Sequence, residues 1–225
     1  SATETMQLKS QGIEQRLHFI SHSHRNASEF LEPLLEWREL RAELSAITAE
    51  EILVEYDKEV GRAIDGKRKQ PPKGAQLVLN QVVKRRLVAA GWKKEPRLFD
   101  VPPESTLRMW KMDFVKNQLG LEIVFNHAEA LAWNFTRLHM AGESDEVKPE
   151  HRIRVGIAVM ATEELKRWGR MDGAVGTYEM ALEWLRVMRP ILPMPIQLVG
   201  LKSTGLPDDR PFLGTGGHPP RPRDS

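Results

Sequence analysis

Two apolar runs, Met109 to Val115 and Leu119 to Phe125, lie on either side of Asn117-Gln118 in the stretch Trp110 to Asn126, WKMDFVKNQLGLEIVFN. Runs of this length, rich in β-branched and aromatic residues and broken by a polar pair, predict a β-hairpin. With Asn117 and Gln118 as the turn, Lys116 pairs with Leu119, and counting back along both strands sets Asp113 opposite Glu122. Opposed residues share a face of the sheet with Cβ atoms about 5 Å apart. Two carboxylates that close repel each other, so the sheet gains nothing from the pair unless a cation lies between them. Met112, Phe114, Leu121 and Ile123 flank the pair, which argues for a hairpin inside the sheet and against an exposed one. The pair reads as half of a divalent-metal site. The competing reading is two solvated residues on an open face.

The remaining segments predict an α/β domain. Arg16 to Ser21 reads as a short strand that leads into His22 and His24, which would share one side of an extended chain. Those two histidines read either as metal ligands or as loop residues near phosphate. A helix is predicted from about Glu32, with Pro33 in its first turn, and Thr48 with Glu51 forms a capping box for a second helix running to about Val60. Asp65 to Gly74 reads as a basic loop. Ala75 to Ala90 reads as a helix stopped by Gly91, with Asn80 among its polar interruptions. Ala128 to Met140 predicts a helix and Arg152 to Met160 a buried strand. Thr162 caps a short helix to about Trp168, Gly169 to Gly176 reads as a flexible loop, and Thr177 caps a helix ending near Arg189. Pro195 to Leu201 supplies a last strand. The expected fold is a mixed central sheet containing the hairpin, with helices on both faces.

At 225 residues the chain suits one such domain. Its expected boundaries are a flexible lead-in over 1–15, a single domain over 16–201, and a Gly/Pro-rich, poorly ordered tail over 202–225. No apolar run approaches a membrane span and no signal segment is apparent, so the expected setting is the cytoplasm, with no membrane partner. There is no cysteine, which excludes disulfides, thiolate nucleophiles and Cys-ligated zinc. Any metal must therefore take oxygen or imidazole ligands. A net charge of +2 does not argue for nucleic acid by itself, but Lys67, Arg68, Lys69 and Lys73, then Lys84, Arg85 and Arg86, then Lys93 and Lys94 form clusters that can neutralise phosphates.

Asp-Phe-Val-Lys-Asn followed by Leu-Glu-Ile-x-Phe, the helix LVLNQVVKRRLVAAGW, the strand RVGIAVM with TEELKRW after it, and the closing PIQLVGL resemble, in the same order, the BglII and BstYI type of restriction endonuclease, of the PD-(D/E)XK nuclease class. The resemblance runs from about Arg16 to Leu201. It implies a restriction-endonuclease-like fold and a type II enzyme that acts as a homodimer on double-stranded DNA. It also implies hydrolysis of a short palindromic site with Mg²⁺, for which Mn²⁺ can substitute. By this resemblance Asp113 and Glu122 are the metal-binding carboxylates and the Ile123 carbonyl is a further ligand. His127, Asp172 and Gly173 fall where the family reads bases, and Lys84, Arg85 and Arg86 are placed to position phosphates.

One position departs from the family. Two residues beyond the Glu the family carries a polar residue, and here stands Val124. Asn126, sharing a strand face with Glu122 but about 6.6 Å beyond Val124, Asn80 from the adjacent helix, and Lys116 or Lys111 are the candidates to replace it. If none does, the chain is a DNA-binding scaffold with weak or absent catalysis. A third reading, an interaction protein with an incidental carboxylate pair, predicts neither DNA affinity nor a response to metal.

Overall fold

The computed structural model describes residues 15–67, 70–208 and Phe212. The lead-in before Gln15, Arg68 and Lys69 of the basic loop, and the tail beyond Asp208 other than Phe212 lie outside the described residues.

Six strands form one mixed sheet. They are β1 (His18–His24), β2 (Lys93–Lys94), β3 (Phe114–Lys116), β4 (Leu119–Val124), β5 (Val155–Ala161) and β6 (Ile196–Lys202), in the spatial order β1-β6-β5-β4-β3-β2. β4, β5 and β6 run parallel, whereas β1, β3 and β2 join antiparallel to their neighbours. Every residue of β4 and β5 is buried, as a strand covered on both faces requires. Among the described residues the α-helices are α1 (Ala27–Leu31), α2 (Leu35–Ser45), α3 (Ala49–Ile64), α4 (Gln76–Ala89), α5 (Ala130–Glu143), α6 (Glu163–Trp168) and α7 (Tyr178–Met188).

The alternation of the strands divides the core in two. Leu119, Leu121, Ile123 and Phe125 of the β4 segment face α1 to α4 and α6. Val124, Ala158, Met160 and Leu198 face α5 and α7. On this second face the sheet carries glycines where the helices approach closely. A Cβ added at Gly200 of β6 would lie 2.7 Å from two ring carbons of Tyr178. Gly200→Ala is therefore expected to destabilise the domain by about 1–3 kcal/mol, read as a lowered melting temperature.

The hairpin turns at Asn117 and Gln118, with φ of 45° and 66°. Two successive left-handed residues make the type I′ turn whose twist suits a two-residue hairpin, and asparagine tolerates that region better than most residues. The register is the one counted from sequence: Lys116 pairs with Leu119, Val115 with Gly120 and Phe114 with Leu121. β3 is shorter than expected, because the chain before Phe114 turns toward β2 and Thr106–Met109 forms a 3₁₀ turn.

Thr48 accepts from Glu51 N at 3.1 Å and Thr162 from Leu165 N at 3.3 Å, as the caps predict. Thr177 does not cap its helix in this way; its hydroxyl donates to Glu163 at 2.9 Å. Pro33 precedes α2 and does not sit in its first turn, and the short α1 went unanticipated. His22 and His24 lie in β1, not in a loop. His24 is buried against the Leu192 carbonyl at 2.9 Å, and burial holds its pKa below the ordinary histidine value. The folded region continues past Leu201. Phe212 is buried and packs edge-on to Tyr56 and Trp168, while Trp168 Nε1 donates to the Pro207 carbonyl at 2.7 Å. Among the described residues no helix is long and apolar enough to cross a membrane.

Candidate active site

One step beyond the last ladder pair of the hairpin, Phe114 with Leu121, come Asp113 and Glu122. At that step the chain leaves β4. Met112 N donates to the Pro96 carbonyl, and Glu95 N donates to the Asp113 carbonyl at 2.9 Å, so the backbone has swung to β2. The Ile123 N–H, left without a backbone acceptor from β3, donates instead to Asp113 Oδ2 at 2.8 Å. In a strand the N–H and C=O of one residue point to the same side, so the Ile123 carbonyl is directed to the side where Asp113 sits.

Glu122 is 2% exposed. Its Oε2 accepts from Arg137 of α5 at 2.8 Å, and its Oε1 is buried with no partner. Burial, and then the negative charge of Asp113, raise the pKa of Glu122 to about 8 against the opposing pull of Arg137. A buried carboxylate with one unpartnered oxygen, beside a second carboxylate and a backbone carbonyl, makes an all-oxygen donor set of the kind hard divalent cations prefer. Among the described residues no three His, Asp or Glu side chains gather around one point. An ion here would take two carboxylates and complete its shell from backbone, water and phosphate, as Mg²⁺ commonly does.

Arg137 was missed in the sequence, where it reads as one more charged residue on a helix. It stands within the apolar-faced α5 beside Leu138, so that its guanidinium reaches over the sheet.

The fold brings the proposed base-reading residues to the same end of β4. Gly176 N donates to the Asn126 carbonyl at 2.9 Å, His127 bridges Val175, and Ala128 N donates to the Ala174 carbonyl at 2.7 Å. The loop holding Asp172 and Gly173 thus lies alongside the segment that leaves the carboxylate strand. It is tied more firmly than its glycines suggested. Asp172 Oδ1 accepts from Ala174 N at 2.9 Å, and Lys166 Nζ donates to the Gly173 and Val175 carbonyls, both at 2.8 Å.

The candidates to replace the polar residue missing at Val124 are not brought in. Val124 itself is 0% exposed. Asn126 lies beyond the end of β4 and is exposed. Asn80 belongs to α4, whose buried residues pack on the other face of the sheet, and its Oδ1 is buried without a partner there. Lys116 is held at the far end of the hairpin by Glu39 and the Ala90 carbonyl, and Lys111 pairs with Glu95 at 4.0 Å.

The basic run on α4 divides. Arg85 pairs with Glu55 at 2.6 Å and Glu51 at 2.9 Å, while Arg86 pairs with Glu51 at 2.7 Å, Glu43 at 3.0 Å and the Ala46 carbonyl at 3.1 Å. These contacts bind α4 to α3 and α2, a use for the two charges that competes with phosphate. Arg86→Met is expected to cost about 1–3 kcal/mol of stability and to leave the salt dependence of DNA binding unchanged. Thermal melts and binding titrations across salt concentrations check both halves.

A mixed sheet of this order, with a carboxylate pair where the short third strand leaves the central one, defines an α/β nuclease scaffold of the restriction-endonuclease type. The chain belongs to the family described as Restriction endonuclease BglII/BglIII, whose profile matches residues 19–201. It is accordingly a type II site-specific deoxyribonuclease. A crystal structure of restriction endonuclease BglII complexed with a DNA 16-mer shares its fold, at 19% identity and a TM-score of 0.59, over 82% of this chain and 76% of that one. A crystal structure of free BglII gives 19% identity and a TM-score of 0.47, over 81% and 78%. Curated proteins give no match. The reading of a scaffold that binds DNA without cutting it finds no support.

Proposed function

We propose that this endonuclease cuts a short palindromic site in double-stranded DNA as a homodimer and requires Mg²⁺, with Mn²⁺ able to substitute. The observation that carries the reading is the buried Glu122 carboxyl with the Asp113 carboxylate close enough to raise its pKa, at the step where β3 leaves β4. Asp113, Glu122 and the Ile123 carbonyl would hold the cation. When bound, the cation supplies Lewis-acid stabilisation of charge on the phosphate and makes an attacking water more acidic. Glu122 contributes a carboxylate whose burial strengthens its attraction for a cation. Asp113 serves twice, fixing the Ile123 backbone through Oδ2 and adding the second negative charge. Arg137 offsets the charge of Glu122 until a cation does so.

His127, which follows the carboxylate strand, and the loop of Asp172 and Gly173, which pairs alongside it, are the base-reading candidates. An imidazole can donate to guanine N7 or O6, and a carboxylate can accept from cytosine N4. Lys84, exposed to fewer competing partners than Arg85 and Arg86, is the residue of its cluster best placed for phosphate. A homodimer matches a palindrome because each subunit offers the same surface to one half-site. An enzyme of this kind meets its DNA in the cytoplasm.

The test is a digest of a large, fully sequenced, unmodified DNA by the purified protein with Mg²⁺, beside a Glu122→Ala variant. Discrete bands that vanish in the variant, with ends mapping to one palindrome, are expected. Intact DNA with Mg²⁺ and with Mn²⁺ would overturn the proposal.

A further inference from the structure

α5 turns Leu131, Asn134, Phe135, Leu138 and Ala141 toward the sheet, all buried and spaced along one helical face. In this apolar stripe Asn134 is the polar exception. It is 3% exposed, and its side-chain Nδ2 has no hydrogen-bond partner.

Two contacts fix where it stands. Leu138 lies over Gly156 of β5, where an added Cβ would come within 3.1 Å of it. Leu131 lies against Gly176, beside the loop that meets the end of β4. Asn134 is one turn from Leu138 toward Leu131. Four helical residues advance about 6 Å and two strand residues about 6.6 Å, so the same step along β5 leads from Gly156 to Ala158. The partner of Ala158 on β4 is Glu122. Asn134 therefore stands level with Glu122 on the same face of the sheet. A buried donor, Asn134 Nδ2, and a buried acceptor, Glu122 Oε1, lie on facing elements and neither has a partner, which native interiors rarely leave so.

We infer that Asn134 is the positioning residue for Glu122, its amide holding Oε1 through one bridging water. It supplies from α5 the polar support that Val124 cannot give from β4. The inference rests on the nuclease reading above.

Asn134→Leu keeps the shape, removes the donor and suits the apolar stripe, so it is expected to fold. Asn134→Ser keeps a donor and leaves room for water. Each variant is compared with the wild type for Mn²⁺ affinity, from the rise of melting temperature with metal. Each is also compared for single-turnover cleavage rate and for DNA affinity in Ca²⁺. The leucine variant is expected to lose about tenfold in Mn²⁺ affinity and in rate, the worth of one hydrogen bond, with DNA affinity unchanged. The serine variant should stay close to wild type. A leucine variant equal to wild type, or leucine and serine variants equally impaired, would overturn the assignment while leaving the nuclease reading intact. A wild-type protein that neither cuts DNA nor gains stability from Mn²⁺ would overturn that reading and the inference with it.

Discussion

Replacing Asp113 by asparagine is expected to give a protein that still binds duplex DNA and cuts it at least about a thousandfold more slowly. A cation in such a site is worth several kcal/mol to the transition state, and each 1.36 kcal/mol is a factor of ten in rate. Asparagine is more informative than alanine here. Asp113 Oδ2 accepts from the Ile123 N–H, and alanine would leave that donor unsatisfied, at a cost of about 1–3 kcal/mol in stability. The carboxamide oxygen of asparagine keeps the acceptor and removes the charge. Single-turnover cleavage in Mg²⁺ measures the loss, and gel retardation in Ca²⁺ measures binding. Undiminished cleavage by the asparagine variant would take Asp113 out of the chemistry.

The metal-free protein should lose stability as pH rises, and Glu122→Gln should abolish most of that loss. Glu122 titrates near 8 in the folded chain and near the ordinary glutamate value when unfolded. Between those values the folded state holds a proton that the unfolded state has released. Stability on this account is full at about pH 4 and falls as pH climbs toward 8. The total is of the order of 3–5 kcal/mol, a figure in which the opposing pull of Arg137 is already contained. Melts in EDTA from pH 5 to 8.5 should show the two proteins alike at the acid end and the glutamine variant more stable at the alkaline end. Adding Mn²⁺ at pH 8 should raise the melting temperature of the wild type and leave the variant unmoved, since a ligand stabilises the state that binds it. Parallel pH curves for the two proteins would show that Glu122 does not carry the shifted titration.

Much of this site could be read before the structure was seen, because a hairpin register follows from arithmetic once the turn is placed. Asn117-Gln118 fixed the pairing of Lys116, Val115 and Phe114 with Leu119, Gly120 and Leu121, and Asp113 follows one step past Phe114, where the chain has turned toward β2 but its carboxylate still reaches the Ile123 N–H beside Glu122. The Thr48 and Thr162 caps are local signals of the same kind. What stayed hidden depends on which face a helix covers. Asn80 and Asn134 both interrupt apolar helical stripes, yet α4 packs on one side of the sheet and α5 on the other. Periodicity finds the buried stripe of a helix without saying which sheet face receives it. Arg137 was hidden for the same reason. Arg85 and Arg86 looked free because their acidic partners, Glu43, Glu51 and Glu55, lie more than thirty residues away in the chain or close to it. The polar residue in the buried α5 stripe was the signal that could have been followed.

The place of β1 has a consequence for the birth of the molecule. β1 occupies the sheet edge and pairs with β6, from His18 with Lys202 to His24 with Ile196. β1 must wait for β6, made long after it, and contacts so distant along the chain slow folding. A ribosome would have to release residues through Lys202 before the sheet could be completed. Until then β5 would present an open edge, the kind of unpaired strand that makes a partly completed sheet prone to association.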